Sequence, residues 1–168
     1  MQSQNVVCSY EKGKVKDIVV FYSLTGKTER LARMVSRVLG APSYRLEMEN
    51  PYPAETDSVL DLAIHDIQED VLPPLKPIDI IWDDVERVFV GTPNWFGTFA
   101  PPVGTFLENN RWEGKMIIPF CTNHGGHAGN IGQDMKTFCP HATVLACFDA
   151  FGKNDLEKSV RQWLTSIQ

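Results

Sequence analysis

Apolar residues along this chain follow two alternating rhythms. Residues 17–22, DIVVFY, are a continuous apolar run suited to a strand covered on both faces. Residues 28–39 then place Leu31, Val35, Val38 and Leu39 on one helical stripe, with Gly40 as a stop. Residues 43–48 make a shorter, more polar strand suited to a sheet edge. After the break NPYPAE, residues 57–71 set Leu60, Ile64, Ile67 and Val71 at helical spacing with acids on the other side. The proline-rich link LPPLKPID leads to a third strand at 85–91, followed by TPNWFGTFAPP and a short helix containing Phe106 and Leu107. A fourth strand is expected at 115–121, a helix at 131–138 ending before Pro140, a fifth strand at 143–151 and a closing helix at 155–167.

Strands separated by helices predict an α/β fold, a doubly wound parallel sheet with helices on both faces. Residues 1–16 read as a lead-in and 17–168 as a single domain, without internal repeats or low-complexity tracts. In such sheets a ligand sits beyond the carboxyl ends of the strands. That rule singles out SLTGKT after strand one, TPNWFGTF after strand three and TNHGGHAG after strand four.

Composition narrows the class. A chain of 168 residues with 43% hydrophobic and 22% charged residues has ordinary globular proportions. Its apolar runs fall well short of the roughly 20 residues of a membrane span, so no membrane is expected as a partner. The N-terminal residues lack the apolar core of a secretory leader. Cys8, Cys121, Cys139 and Cys147 stand singly and read as reduced thiols, so a cytoplasmic location is expected. The net charge of −5 is unevenly spread: residues 47–86 carry twelve acids against the single base Lys76. This excludes the basic stripe of a nucleic-acid binder and suits an acidic flank that steers a basic protein partner.

The first loop stands at the mouth of a helix, whose free N–H groups and partial positive charge favour an anion. The hydroxyls of Ser23, Thr25 and Thr28, the flexible Gly26 and the cation of Lys27 complete a phosphate nest; the plainer alternative is that Thr25 caps the helix. A Walker A loop is excluded because Phe21 stands where its first glycine belongs, and no G-x-G-x-x-G fingerprint is present. In the second loop Trp95 and Phe96, set among Asn94, Gly97 and Pro93, suit stacking on a planar ring, whereas Phe99 and Phe106 suit the core. The third loop lets backbone groups approach a ligand, while His124 and His127 alone make a poor zinc site.

Together FYSLTGKTERLA, GTPNWFGTFAPPVGTFLE and PFCTNHGG, in this order and spacing, resemble the flavodoxin family over nearly the whole chain from residue 17. The resemblance implies a flavodoxin-like three-layer α/β/α fold, a five-stranded parallel sheet of order 2-1-3-4-5, the short form of the family, and flavin mononucleotide (FMN) as cofactor. It further implies that Ser23, Leu24, Thr25, Gly26, Lys27 and Thr28 hold the phosphate. Pro93, Asn94, Trp95, Phe96 and Gly97 would line the isoalloxazine, and Thr122, Asn123, His124, Gly125 and Gly126 its pyrimidine edge, with residues 94–97 as the candidate hinge and Gly97 giving it backbone freedom.

Two departures matter. Lys27 stands where many members have Asn, and His124 and His127 lie beside the expected ring, so a less strongly reducing flavin is expected than in highly acidic carriers. Three functions stay open: an electron carrier between redox partner proteins, an FMN-dependent NAD(P)H:quinone-type reductase, and a flavodoxin-like module without redox activity.

Overall fold

The structure, a computed structural model, describes residues 16–53 and 55–168; of the expected lead-in at 1–16, all but Lys16 lie outside the described residues, as does Cys8. The elements are β1 (Asp17–Phe21), α1 (Lys27–Leu39), β2 (Ser43–Arg45), α2 (Thr56–Gln68), β3 (Arg87–Trp95), β4 (Thr98–Phe99), α3 (Pro101–Glu108), β5 (Met116–Thr122), α4 (Ile131–Phe138), β6 (Thr143–Val144), β7 (Phe148–Asp149) and α5 (Leu156–Ser166). The sheet runs β2-β1-β3-β5-β6, with β7 also pairing β5, and these pairs are all parallel. Counting β6 and β7 as the two halves of the fifth strand, this is the expected order.

Alternation along the three central strands sorts side chains between two layers. Ile18, Val20, Val88, Val90, Ile117 and Cys121 pack with α3 residues Val103, Phe106 and Leu107 in one core. Val19, Phe21, Phe89, Ile118 and Phe120 pack with Leu31 and Val35 of α1 and Val160 and Leu164 of α5 in the other. The strands are continuous apolar runs because both faces are covered. Gly91 sits where a Cβ would stand 2.5 Å from the Phe120 ring, so the central strand needs glycine there. At the end of the sheet away from the three loops, Arg87 donates two hydrogen bonds to Asp17, at 2.7 and 2.5 Å.

Three local differences from the sequence reading have physical causes. β3 runs four residues past the expected strand end, because its ladder with β5 continues to Pro93 opposite Thr122, and Asn94 and Trp95 then pair with β4. The fifth strand is broken between Val144 and Phe148, where Gly132 brings the backbone of α4 against Leu145 and Cys147. On α2 the buried positions are Val59 and Ala63, while Leu60 is 46% exposed. The apolar side of that helix is wide and Ile64 and Ile67 are partly buried, so periodicity finds the side but not that Val59 and Ala63, rather than Leu60, meet the core. Among the described residues no helix is long and apolar enough to cross a membrane.

Candidate functional site

The chain leaves β1 through a loop shaped by one buried hydroxyl. Ser23, 3% exposed, accepts a hydrogen bond from Gly26 N at 3.1 Å. Gly26 itself is the N-cap, in a left-handed conformation, so Thr25 does not cap the helix and stays exposed. The first helical bond runs from Arg30 N to Gly26 O, which leaves the amides of Lys27, Thr28 and Glu29 ahead of the ladder. Thr28 is buried, its hydroxyl 2.8 Å from that of Thr122 on β5.

Behind this loop stands a residue that sequence reasoning missed. Arg45, at the end of β2, donates to Ser23 O at 2.9 Å and pairs with Glu29, which also accepts from Arg33 at 2.6 Å. The hydrogen bond from Arg33 first, and then the charge of Arg45, hold the Glu29 carboxyl below the usual carboxylate range. A carboxylate in the first turn of α1 would repel a phosphate; two guanidinium groups offset it. Burial pushes the Tyr22 phenol up to about 12, with Arg45 pulling the other way.

The second loop is a hairpin rather than an open segment. Asn94 pairs with Phe99 and Trp95 with Thr98, around Phe96 (φ 55°) and Gly97 (φ 87°), the two positive angles of a type I′ turn. Asn94 accepts from Gly97 N at 2.9 Å and donates to His127 O at 2.9 Å. Gly97 O accepts from Asn130 N at 2.7 Å, and Thr98 donates to Asp134 at 2.6 Å. Gly129 lies so close that a Cβ there would overlap the Gly97 carbonyl. Trp95 is half-buried, set edge-on to Tyr22 (5.8 Å) and Tyr52 (5.5 Å), and Phe96 is 59% exposed.

The third loop is organised by Asn123. Its oxygen accepts from Gly125 N and Gly126 N, both at 2.9 Å, and its amide donates to Asp149 at 2.7 Å. His127 turns toward its own loop, accepting from Gly129 N at 3.2 Å through Nδ1. His124 Nε2 lies 3.5 Å from Lys27 Nζ; an ammonium only donates, so Nε2 is the acceptor of this long contact. Lys27 and His124 thus link the first and third loops.

Leu24, Thr25, Lys27, Thr28, Pro93, Asn94, Trp95, Thr122, Asn123 and His124 line one cleft at the carboxyl ends of β1, β3 and β5. The other six expected residues frame it: Ser23 lies beneath the first loop, Gly26 starts α1, Phe96 and Gly97 form the hairpin tip, and Gly125 and Gly126 are exposed in the third loop. This donor set fits FMN: open amides and hydroxyls for a phosphate, an indole for a ring and an amide-rich loop for a polar edge. Beyond Arg45, Gly129, Asn130 and Asp149 support the cleft without a local signal in the sequence.

Comparison with known proteins agrees with this geometry. No curated protein matches. A protein assigned as a flavoprotein from Bacteroides eggerthii DSM 20697 is similar at 26% identity and TM-score 0.78, covering 90% of this chain and 97% of its own. A second, from Bacteroides uniformis ATCC 8492, is similar at 22% identity and TM-score 0.79, covering 91% and 99%. The flavoprotein of Lactobacillus acidophilus NCFM, solved in complex with FMN, is similar at 19% identity and TM-score 0.72, covering 89% and 98%. The sequence model of the family described as Flavodoxin matches residues 16–167, so the chain belongs to the flavodoxin family.

Proposed function

We propose that this protein carries electrons between partner proteins by means of a non-covalently bound FMN. The observation that supports it most is the convergence of three loops on one cleft, with the amides of Lys27, Thr28 and Glu29 left open beside the half-buried Trp95. FMN is the cofactor, in keeping with the family and with the FMN complex of the similar L. acidophilus protein. When bound, the flavin supplies the redox chemistry. The chain would supply placement: the α1 amides and Thr28 would hold the phosphate, Trp95 and the hairpin would flank the ring, and the third loop would meet its polar edge. No side chain is needed as a general acid or base.

Around the cleft mouth Leu24, Phe96 and Phe151 are exposed apolar groups, 37%, 59% and 47% accessible, which favours a docked protein over a closed substrate chamber. The acidic segment 47–86 supports a basic partner. One feature favours the second reading, a reductase taking a nicotinamide donor. A groove of about 600 Å3 beside the first loop, lined by Tyr22, Arg45, Glu47, Tyr52 and Lys76, has room for a nucleotide, with Arg45 paired to Glu29 and Lys76 to Glu47.

FMN titration of apoprotein, followed by stepwise anaerobic reduction, tests both readings. The carrier is expected to bind FMN and develop a long-wavelength band at half reduction. Direct two-electron bleaching with rapid NAD(P)H oxidation would establish the reductase instead, and absence of FMN binding would remove both.

A further inference from the structure

A second cleft, of about 310 Å3, opens between the end of α2, the start of α3 and α4. Leu72, Phe99 and Phe138 give it apolar walls, while Asp66, Asp70 and Asp134 supply its charged groups and no basic side chain lines it. We infer that this cleft binds a small organic cation, an ammonium or guanidinium group carried on an aromatic or branched apolar body. The inference stands apart from the flavin reading, since none of the three acids or three apolar residues lines the cofactor cleft.

Size and surface come first. The volume lies at the lower end of small-ligand pockets, and Phe138 and Val71 are each 38% exposed, so apolar wall is open for a ligand to cover.

Charge then selects the ligand. α2 keeps its helical bond from Glu69 N to His65 O at 2.9 Å, and Val71 N then donates back to Asp66 O at 2.8 Å, the six-to-one bond of a left-handed helix end. Glycine is the residue that such an end ordinarily takes in left-handed geometry; here Asp70 holds it, at φ 50°. Asp66, Glu69 and Asp70 also stand at the negative end of the helix dipole, where carboxylates are disfavoured. Tyr52 compensates Asp66 with a hydrogen bond, whereas no group among the described residues compensates Asp70, and a bound cation would. The opposing start of α3 offers an anion little, because Pro101 and Pro102 have no N–H to donate.

Hydrogen bonding shows which acids remain available. Asp66 accepts from Tyr52 OH at 2.7 Å on one oxygen, and His65 Nδ1 stands 3.4 Å from the other. Asp134 accepts from the neutral Thr98 hydroxyl and keeps its second oxygen open. Asp70 has no hydrogen bond or ion pair among the described residues. Asp70 and Asp134 therefore face the ligand's charge, and the Phe99 and Phe138 rings, edge-to-face at 5.2 Å, face its apolar body.

The test is amide-resolved NMR on the full chain in saturating FMN, titrated with 2-phenylethylamine and, separately, with its uncharged counterpart 2-phenylethanol. The amine is expected to produce saturable shifts at Asp70, Val71, Thr98 and Phe138, with a dissociation constant about ten-fold below that of the alcohol. Asp70→Asn, at an exposed helix end, is expected to remove most of that difference; Asp134→Asn, which disturbs the Thr98 contact, serves as the second variant. Equal binding of amine and alcohol overturns the inference, as does an amine response that survives both substitutions, stays within the 122–130 loop, or fails to saturate. FMN addition shifts its own amides at 25–28, 94–97 and 122–126, so failure of the flavin reading is seen separately.

Discussion

The two ends of the cleft, one proposed for the phosphate and the other for the flavin ring, are built in opposite ways. At the phosphate end the chain leaves its donors open: the α1 amides precede the helical ladder, and the nearby Glu29 is held by Arg33 and Arg45 rather than turned toward them. At the ring end the donors are consumed, as Asn94, Asn123, Asn130 and His127 tie hairpin to loop. An open nest supplies affinity, and a self-satisfied frame supplies shape at little ordering cost on binding. Affinity and stability should therefore respond separately to changes at the two ends.

The largest break is expected at the ring end. Gly129→Ala adds a Cβ against the Gly97 carbonyl at a left-handed position (φ 59°), and a loss of about 3 kcal/mol or more is expected from the urea midpoint, with weaker FMN binding as a consequence. An unchanged midpoint would show that the two loops do not lean on each other.

Tyr22 touches both ends, beneath the first loop and against Trp95, and predicts a pH dependence. Its folded-state value of about 12 lies above the unfolded 10.0, so the unfolded chain releases its proton first and stability falls as pH rises through that window. The slope is about 1.4 kcal/mol per pH unit for this group. Denaturation of Tyr22→Phe across the same range should be flatter; a slope identical to the parent's would remove the burial argument.

At the phosphate end Thr28→Val should leave stability within about 1 kcal/mol of the parent, yet weaken FMN about ten-fold. Isothermal titration beside a melting curve reads both, and equal losses in the two would erase the proposed division. Smallest is Phe96→Asn: Asn suits the left-handed turn better than Phe, so apoprotein should gain about 0.5–1 kcal/mol in thermal unfolding. If it gains nothing, the hairpin tip is unstrained.

The parallel sheet was legible because Ile18–Phe21, Val88–Val90 and Ile117–Phe120 are apolar on both faces, a pattern with few other homes. The short β6 and β7 were not separable by pattern, since residues 143–151 read as one run and the α4 backbone that lies against Leu145 and Cys147 is a neighbour in space, not in sequence. Positions in the three loops were readable from local residue types and their resemblance to a family. The bonds that hold those loops together span large sequence distances, as from Asn123 to Asp149 or Arg45 to Ser23, and leave no periodic trace. Trp95 shows the limit of residue-type reasoning: besides lining the cleft it packs edge-on to Tyr22 and Tyr52, a second role that its place in the sequence does not announce.

The sheet order carries a consequence for biosynthesis. β1 emerges from the ribosome with β2 as its early parallel neighbour, but its other edge waits for β3, which begins at Arg87, roughly halfway along the chain. At about 5–20 residues per second that wait lasts several seconds, during which an apolar strand edge stands unpaired. The dense acids between residues 47 and 86 are made in that interval. They give the half-finished chain a net repulsion toward its copies, so the segment proposed to steer a partner would also guard the nascent chain against self-association.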